Sequence, residues 1–272
     1  MPRRHARFQL VLAVLLVGSL AAFGPTSPRT ARAAEPIGAA VVAGSAPAAA
    51  KPYRIDLADR NDFVAQTNFV QCVGASMQMM LNIMGANDRT TRTQARLQAI
   101  ARNLSGPTRA GFKRSGASVR GWTDGLNLLD AGPYRLVGAD TLQEALRLAA
   151  RSIRETGKPV GLLVWAGRHA WVMSGFEATA DPRRTDNFRV TKAIVLDPLY
   201  PYGSAKWGVS PKPREAISTA TLGKQFVPRR KGTWAGAVTG ANGGSLSALA
   251  GKYVIVMSFT PILVARNRPV AV

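Results

Sequence analysis

The segment Cys72-Val-Gly-Ala-Ser-Met-Gln-Met-Met-Leu-Asn-Ile-Met84 carries the clearest local pattern of the chain. Its apolar residues fall at i, i+4, i+7, i+8 and i+11, the spacing of one helix face: Val73, Met77, Met80, Leu81 and Met84. Gly85 and Asn87 then supply a stop signal. The pattern predicts a core-packed helix with Cys72 in its first turn, where free backbone N–H groups and the positive end of the helix dipole stabilise an anion such as a thiolate.

Beyond this helix the pattern changes from helical to extended. Helical spacing predicts further helices at 90–104, 122–129 and 142–153, the last one closed by Gly157. Short β-branched or aromatic runs predict four strands at 160–165, 169–177, 189–196 and 253–259. We expect a loop at 106–121 and mostly loop at 200–251. This order along the chain, with helices first and strands after, predicts an α+β domain in which the helices pack against an antiparallel sheet.

The first 33 residues have the features of an export signal. Arg3, Arg4 and Arg7 precede an apolar stretch at 10–22, and Ala31-Arg32-Ala33 is a small-x-small cleavage site. The apolar stretch is shorter than the about 20 residues that span a bilayer, so we expect no transmembrane anchor after signal cleavage and a location outside the cytoplasm, secreted or in the cell envelope. Arg3-Arg4 leaves twin-arginine export open beside the general route. Residues 34–51 are an Ala/Pro-rich linker, and 52–272 are expected to form one domain.

The chain is strongly basic, with a formal net charge of +21. Without residues 1–33, 31 basic residues face 15 acidic ones, which leaves +16. Such a charge attracts polyanions, so anionic cell-surface polymers are candidate partners. The Lys and Arg residues are spread along the sequence without a nucleic-acid-binding motif, which argues against a specific nucleic-acid partner. A solvated basic surface is the simpler interpretation.

Without residues 1–33 the chain has one cysteine, Cys72, and one histidine, His169. A single cysteine excludes an internal disulfide and leaves a free thiol in an oxidising compartment. His169 opens a predicted strand after the Gly167-Arg168 turn, and Asp197 ends the next one, so their side chains meet if the two strands pair. Gln66, six residues before Cys72, is close enough for its amide to join the Cys72 N–H in an oxyanion hole.

Three blocks of the sequence resemble the papain-like cysteine peptidases of the C39-like group. They are Gln66-(five residues)-Cys72-Val-Gly-Ala-Ser76, His169-Ala-Trp-Val-Met-Ser-Gly-Phe176 and Leu196-Asp197-Pro198. The resemblance covers about residues 62–200, including 118–127 as the helix that follows the loop in that fold. It departs from the family at Val73, where many relatives have Gly or Trp, and in the longer interval between His169 and Asp197.

The resemblance implies a papain-like fold and a role for each residue. Cys72 is the expected nucleophile, His169 the general base and acid, Asp197 the carboxylate that orients the imidazole, and Gln66 the oxyanion donor. The implied reaction is cleavage of a peptide or isopeptide bond in a peptide or protein substrate through an acyl-enzyme, without metal or cofactor. Residues 201–272 lie outside the resemblance, which gives them no role, and a lid and added strands are the two alternatives for them.

Each residue also has a structural interpretation when it is taken alone. Cys72 can be a small buried hydrophobe, His169 a structural histidine, and Asp197 before Pro198 a turn former. Trp165, Trp171 and the methionines at 77–80 are interpreted as core or cleft wall. The order and neighbours of the four residues favour a catalytic site. The alternative is a catalytically silent protein of the same fold that binds anionic cell-envelope polymers through its basic surface.

Overall fold

The structure is a computed structural model, and it describes residues 51–106, 115–230 and 246–260. By its internal contacts the chain divides into two units, Met1–Pro47 and Ala48–Val272, and every described residue belongs to the second. The predicted export signal and the predicted linker up to residue 50 lie outside the described residues.

The described part of the chain contains five α-helices, nine strands and two short 3-10 helices, Arg60–Asp62 and Leu246–Leu249. The α-helices are α1 (Cys72–Ile83), α2 (Thr91–Asn103), α3 (Val119–Leu128), α4 (Leu142–Thr156) and α5 (Thr219–Gly223). The strands are β1 (Tyr53–Asp56), β2 (Tyr134–Ala139), β3 (Val160–Val164), β4 (His169–Ala178), β5 (Val190–Leu196), β6 (Gly203–Ser204), β7 (Gly208–Val209), β8 (Glu215–Ser218) and β9 (Tyr253–Ser258). Within residues 51–106, 115–230 and 246–260, no helix has the length and apolar character needed to cross a bilayer.

Seven strands form one antiparallel sheet in the order β2-β9-β3-β4-β5-β8, and β1 also pairs with β4. The two short strands β6 and β7 form a separate hairpin. Strand β4 is central because it pairs with β3 along its first half, with β1 along its second half, and with β5 on its other edge. The predicted α+β class with an antiparallel sheet is confirmed.

Two apolar cores share the sheet. One core combines β4 residues such as Trp171 and Met173 with the buried side chains of α4, including Leu146. The other combines Ala170 and Val172 of β4 with residues of α1, α2 and α3. Alternate residues of β4 therefore join different cores, as the two faces of a strand require. Because α1 packs on the second core, Val73, Met77 and Met80 of the predicted apolar face are buried, and Leu81 and Met84 are partly buried.

The predicted helices are confirmed, and their ends follow the local sequence. α1 begins at Cys72, and the N-terminal helix caps are hydroxyl side chains for α2, α3 and α4: Thr90, Ser118 and Thr141. α4 ends at Gly157, whose φ of 65° lies in the left-handed region that favours glycine. The strands predicted at 160–165, 169–177, 189–196 and 253–259 match β3, β4, β5 and β9 to within one residue at each end.

Several elements differ from the sequence interpretation. β1 precedes every helix, and β2 lies between α3 and α4, so the expected order of helices first and strands after is wrong. The expected loop at 106–121 is too long, because α3 begins at Val119, and 107–114 of that loop lie outside the described residues. In the region 200–251, β8 extends the sheet beyond β5 and α5 follows it, so this region adds strands to the fold.

Candidate active site

Cys72 is the first residue of α1 and is partly buried at the edge of the second core. The preceding residue, Gln71, makes no side-chain cap on the helix. Among the described residues none accepts a hydrogen bond from the Cys72 N–H. The thiol and this backbone donor therefore lie together at the positive end of the helix dipole, as the sequence predicts.

Gly74 allows α2 to pack closely against the start of α1. A Cβ built on Gly74 would lie 2.8 Å from the backbone oxygen of Gln94 and 2.8 Å from the Cβ of Gln98. The Gly74 N–H also donates to the Gln98 side chain at 2.8 Å. Any side chain at this position would push the two helices apart, so Gly74 fixes where Cys72 lies.

His169 is the first residue of β4 and is 4% exposed. Its position in the sheet is set by its pairing with Val164, the last residue of β3. The next residue, Ala170, accepts a hydrogen bond at 3.2 Å from the buried hydroxyl of Ser76 on α1. This contact links the helix that begins with the thiol directly to the strand that begins with the imidazole.

Asp197 follows β5 and is fully buried. Because β4 and β5 pair in the antiparallel sheet, the Asp197 carboxylate reaches the histidine, and His169 Nε2 lies 2.7 Å from Asp197 Oδ1. The same oxygen accepts the Leu199 N–H at 2.8 Å, which closes a tight turn before Tyr200. Asp197 is therefore both a turn former and the partner of the imidazole.

The imidazole of His169 is held in its charged form by its neighbours. Burial lowers the pKa of this ring, but the hydrogen bond to Asp197 and the hydrogen bond and charge of the Cys72 side chain outweigh burial and raise the pKa to about 9. Because Nε2 contacts Asp197, Nδ1 is the ring nitrogen left for the thiol. The structure thus brings together Cys72, His169 and Asp197, in the order thiol, imidazole, carboxylate.

A backbone hydrogen bond holds Gln66 next to these three residues. The Gln66 N–H donates to the carbonyl of Pro198 at 2.7 Å, which ties the segment before Cys72 to the residue after Asp197. Its side-chain Nε2 donates to the Asn68 carbonyl at 2.8 Å, and its buried Oε1 has no hydrogen-bond partner among the described residues. The second Nε2 hydrogen remains for another acceptor. The oxyanion role of Gln66 stays a prediction.

Two residues near the imidazole have no assigned role in the sequence interpretation. Trp165 stacks on the His169 ring with the centroids 4.2 Å apart and the planes inclined by 25°. Gln225 accepts a hydrogen bond from the Trp165 indole at 2.9 Å. The sequence interpretation gave Trp165 only as core or cleft wall. Its position four residues before His169 is the sequence signal for a contact between the two rings. Gln225 has no such signal, because it is 56 residues after His169 in sequence.

The arrangement can support nucleophilic attack by sulfur with proton transfer through the imidazole. A thiol at a helix start, a protonated histidine and a buried carboxylate behind it are the parts of an activated cysteine. In the described part of the chain, no group of three or more His, Cys, Asp or Glu side chains is placed to hold a metal ion.

No model of a known protein family matches this chain, and a search of curated proteins returns no significant relative.

Proposed function

We propose that this protein is a cysteine peptidase of papain-like fold that acts outside the cytoplasm, secreted or in the cell envelope. The observation that carries the proposal is the 2.7 Å contact between His169 Nε2 and Asp197 Oδ1, with Cys72 as the second partner of the same ring. Three residues far apart in sequence meet in the order that thiol catalysis requires.

The proposed reaction begins with attack of the Cys72 sulfur on the carbonyl carbon of a peptide or isopeptide bond. A C–S bond forms, and the carbonyl oxygen takes the negative charge. In the proposed mechanism the Cys72 N–H and the second Nε2 hydrogen of Gln66 donate to this oxygen, and preorganised donors of this kind lower the barrier. His169 Nδ1 then gives its proton to the leaving nitrogen, and the C–N bond breaks to leave a thioester on Cys72.

In the second half of the reaction, His169 Nδ1 removes a proton from water, and the resulting hydroxide attacks the thioester. The C–S bond breaks, the carboxylic acid leaves, and the Cys72–His169 pair is restored. Asp197 keeps the ring in one tautomer and orientation throughout, because its carboxylate holds Nε2. If an amine replaces water in this step, the same site performs transpeptidation.

Alkylation of Cys72 tests the proposal directly, because Cys72 is the chain's single cysteine and any labelling reports this residue. A free thiol of ordinary pKa is mostly protonated at pH 6 and reacts slowly with iodoacetamide. We expect the native protein to react about 100-fold faster at pH 6 than the same chain unfolded in denaturant. A His169→Gln protein should lose this advantage, and equal rates in native and unfolded wild type would overturn the proposal.

Hydrolysis provides the second readout. Against a peptide library, Cys72→Ala should lower turnover by at least about 10,000-fold, and mass spectrometry of the products in 18O water separates hydrolysis from transpeptidation. The alternative function has its own signature: no rapid alkylation, no turnover, and retention on an anionic matrix that falls steeply with salt, as expected for a chain whose net charge without residues 1–33 is +16.

A further inference from the structure

The His169 ring is held on a second side, away from Asp197, by an aromatic neighbour. Trp165 lies in the turn between β3 and β4, is partly buried, and stacks on the imidazole at a centroid distance of 4.2 Å. Asp197 fixes one ring nitrogen, whereas a stacked indole fixes the plane of the ring. The two contacts together leave Nδ1 one direction in which to point.

The turn that presents Trp165 has an unusual backbone. Trp165 and Ala166 have φ values of 57° and 56°, and Gly167 follows at 96°. A positive φ is uncommon for any residue other than glycine and costs free energy for a bulky side chain such as tryptophan. Such a turn persists because contacts from outside the turn hold it.

Gln225, two residues after α5, supplies the contacts to Trp165, and the Ala166 carbonyl accepts the Arg230 N–H at 3.3 Å. The Gln225 backbone carbonyl accepts the Trp165 N–H at 2.9 Å, and its side-chain Oε1 accepts the indole N–H, also at 2.9 Å. Its Nε2 donates to the Val209 carbonyl at 3.1 Å, and its own N–H donates to Leu222 at 2.9 Å. Gln225 is 7% exposed, so one buried amide residue uses all of its backbone and side-chain groups to join α5, the β6–β7 hairpin and the catalytic turn.

We propose that Gln225 is a positioning residue for His169 and acts through Trp165. By fixing both nitrogen atoms of Trp165, it keeps the indole on the imidazole, and the imidazole then keeps Nδ1 towards Cys72. This inference rests on the proposed function for its effect on catalysis. With this role for Gln225, the segment beyond residue 200 contributes to the active site as well as to the sheet.

Loss of the Gln225 side chain has a defined consequence. The buried indole N–H and the Val209 carbonyl each lose a partner, so the indole is no longer fixed against the imidazole ring, while the backbone hydrogen bond from Trp165 to Gln225 remains. The imidazole then samples orientations in which Nδ1 does not face the thiol. Turnover falls because fewer molecules have the reacting atoms aligned, whereas binding of the substrate changes little.

The test uses Gln225→Met, which keeps the length of the side chain and removes the two hydrogen bonds of the side-chain amide, to the Trp165 indole and to the Val209 carbonyl. We expect kcat to fall about 10-fold with KM nearly unchanged, and alkylation of Cys72 at pH 6 to slow by a similar factor. In proton NMR spectra, the ring protons of His169 should move away from their ring-current-shifted positions, because the indole no longer lies over them. The His169→Gln spectrum identifies these signals, since the full chain also contains His5.

Gln78→Met is the matched control. Gln78 is 1% exposed, and its amide donates to the Asp88 and Thr90 carbonyls, so the variant removes an equally buried pair of hydrogen bonds away from the imidazole. It should lose stability without moving the His169 signals. If Gln225→Met changes kcat and the His169 signals no more than Gln78→Met does, the inference is overturned.

A second variant, Trp165→Phe, tests the route of the effect. It keeps an aromatic ring and removes the indole N–H that Gln225 accepts. If Gln225 acts through Trp165, Gln225→Met added to Trp165→Phe should lower kcat less than 3-fold further, whereas two independent effects would multiply. Should native Cys72 fail to alkylate rapidly while Gln225→Met still shifts the His169 signals, the positioning role stands and the proposed function falls.

Discussion

The two halves of the candidate site are built in different ways. The thiol half is local: Cys72 begins α1, and its surroundings come from that helix, the preceding loop and the neighbouring α2. The imidazole half is assembled from separate parts of the chain, namely the β3–β4 turn with the start of β4, the residue after β5, and Gln225, two residues after α5. The thiol half therefore depends on helix packing, and the imidazole half on the register of the sheet and on the segment that follows it.

Among changes that leave the Cys72 thiol in place, the largest effect should come from breaking the imidazole half at Asp197. Asp197→Ala leaves the buried Nε2 without its acceptor, so the pKa of His169 should fall and kcat should drop by at least about 100-fold. NMR titration of the ring and peptide hydrolysis measure the two effects. Asp197→Asn keeps an acceptor without the charge and should retain more activity than Asp197→Ala; equal activity of all three proteins would contradict the role of the carboxylate.

The contribution of the imidazole half to the stability of the fold should depend on pH. The folded pKa of His169, about 9, lies above the ordinary histidine value of 6.5, so its protonation stabilises the fold fully below about pH 6.5 and this contribution is lost as pH rises through 9. The free energy of unfolding of wild type minus that of His169→Gln should therefore be smaller at pH 9.5 than at pH 6.5. Denaturant unfolding across that range measures it, and a constant difference would contradict the raised pKa.

The third change alters the thiol half at Gly74. Gly74→Ala places a Cβ 2.8 Å from the Gln94 carbonyl and the Gln98 Cβ, so the start of α1 must move, and the protein should lose about 1–3 kcal/mol of stability. The His169 ring signals should stay close to those of wild type, since the sheet is untouched, while alkylation of Cys72 at pH 6 slows. Gly116→Ala is the control, because its Cβ would meet nothing closer than the Val70 carbonyl at 3.5 Å.

The smallest effect should come from the contact that links the halves. Ser76→Ala removes the hydrogen bond to the Ala170 carbonyl, for which we expect about 1 kcal/mol of lost stability and a several-fold fall in kcat. Ser152→Ala is the control, because Ser152 is also buried and donates to a backbone carbonyl, that of Ser258, at 2.7 Å. It should lose similar stability at unchanged kcat; equal kcat values for the two variants would show that the halves do not depend on this contact.

The same difference explains what the sequence could predict. The start and end of α1 were predictable because their signals lie within a few residues of one another: the 3.6-residue apolar spacing, Gly85 and Asn87. Strands β4 and β5 were predictable as short apolar runs, and their pairing brings Asp197 to His169 as expected. For these elements, local pattern and tertiary packing agree.

The elements that the sequence did not reveal depend on distant partners. β2 is a six-residue edge strand whose pairing partner is β9, so that Tyr134 lies opposite Ser258. β1 has four residues and pairs with the far end of β4. The stacking of Trp165 on His169 could be suspected from their spacing, but its support by Gln225 comes from a residue 60 positions further along the chain than Trp165. No periodicity within a short window reports such contacts.

The Cys72 thiol at the start of α1 also affects how this molecule responds to oxidants. A sulfenic acid formed on Cys72 has no second cysteine in this chain with which to form a disulfide. Its recovery therefore requires a thiol from another molecule, and further oxidation to the sulfinic acid is irreversible without a dedicated repair enzyme. Each molecule thus carries one thiol without an internal resolving partner, and the thiol titre of a sample equals its content of reduced Cys72.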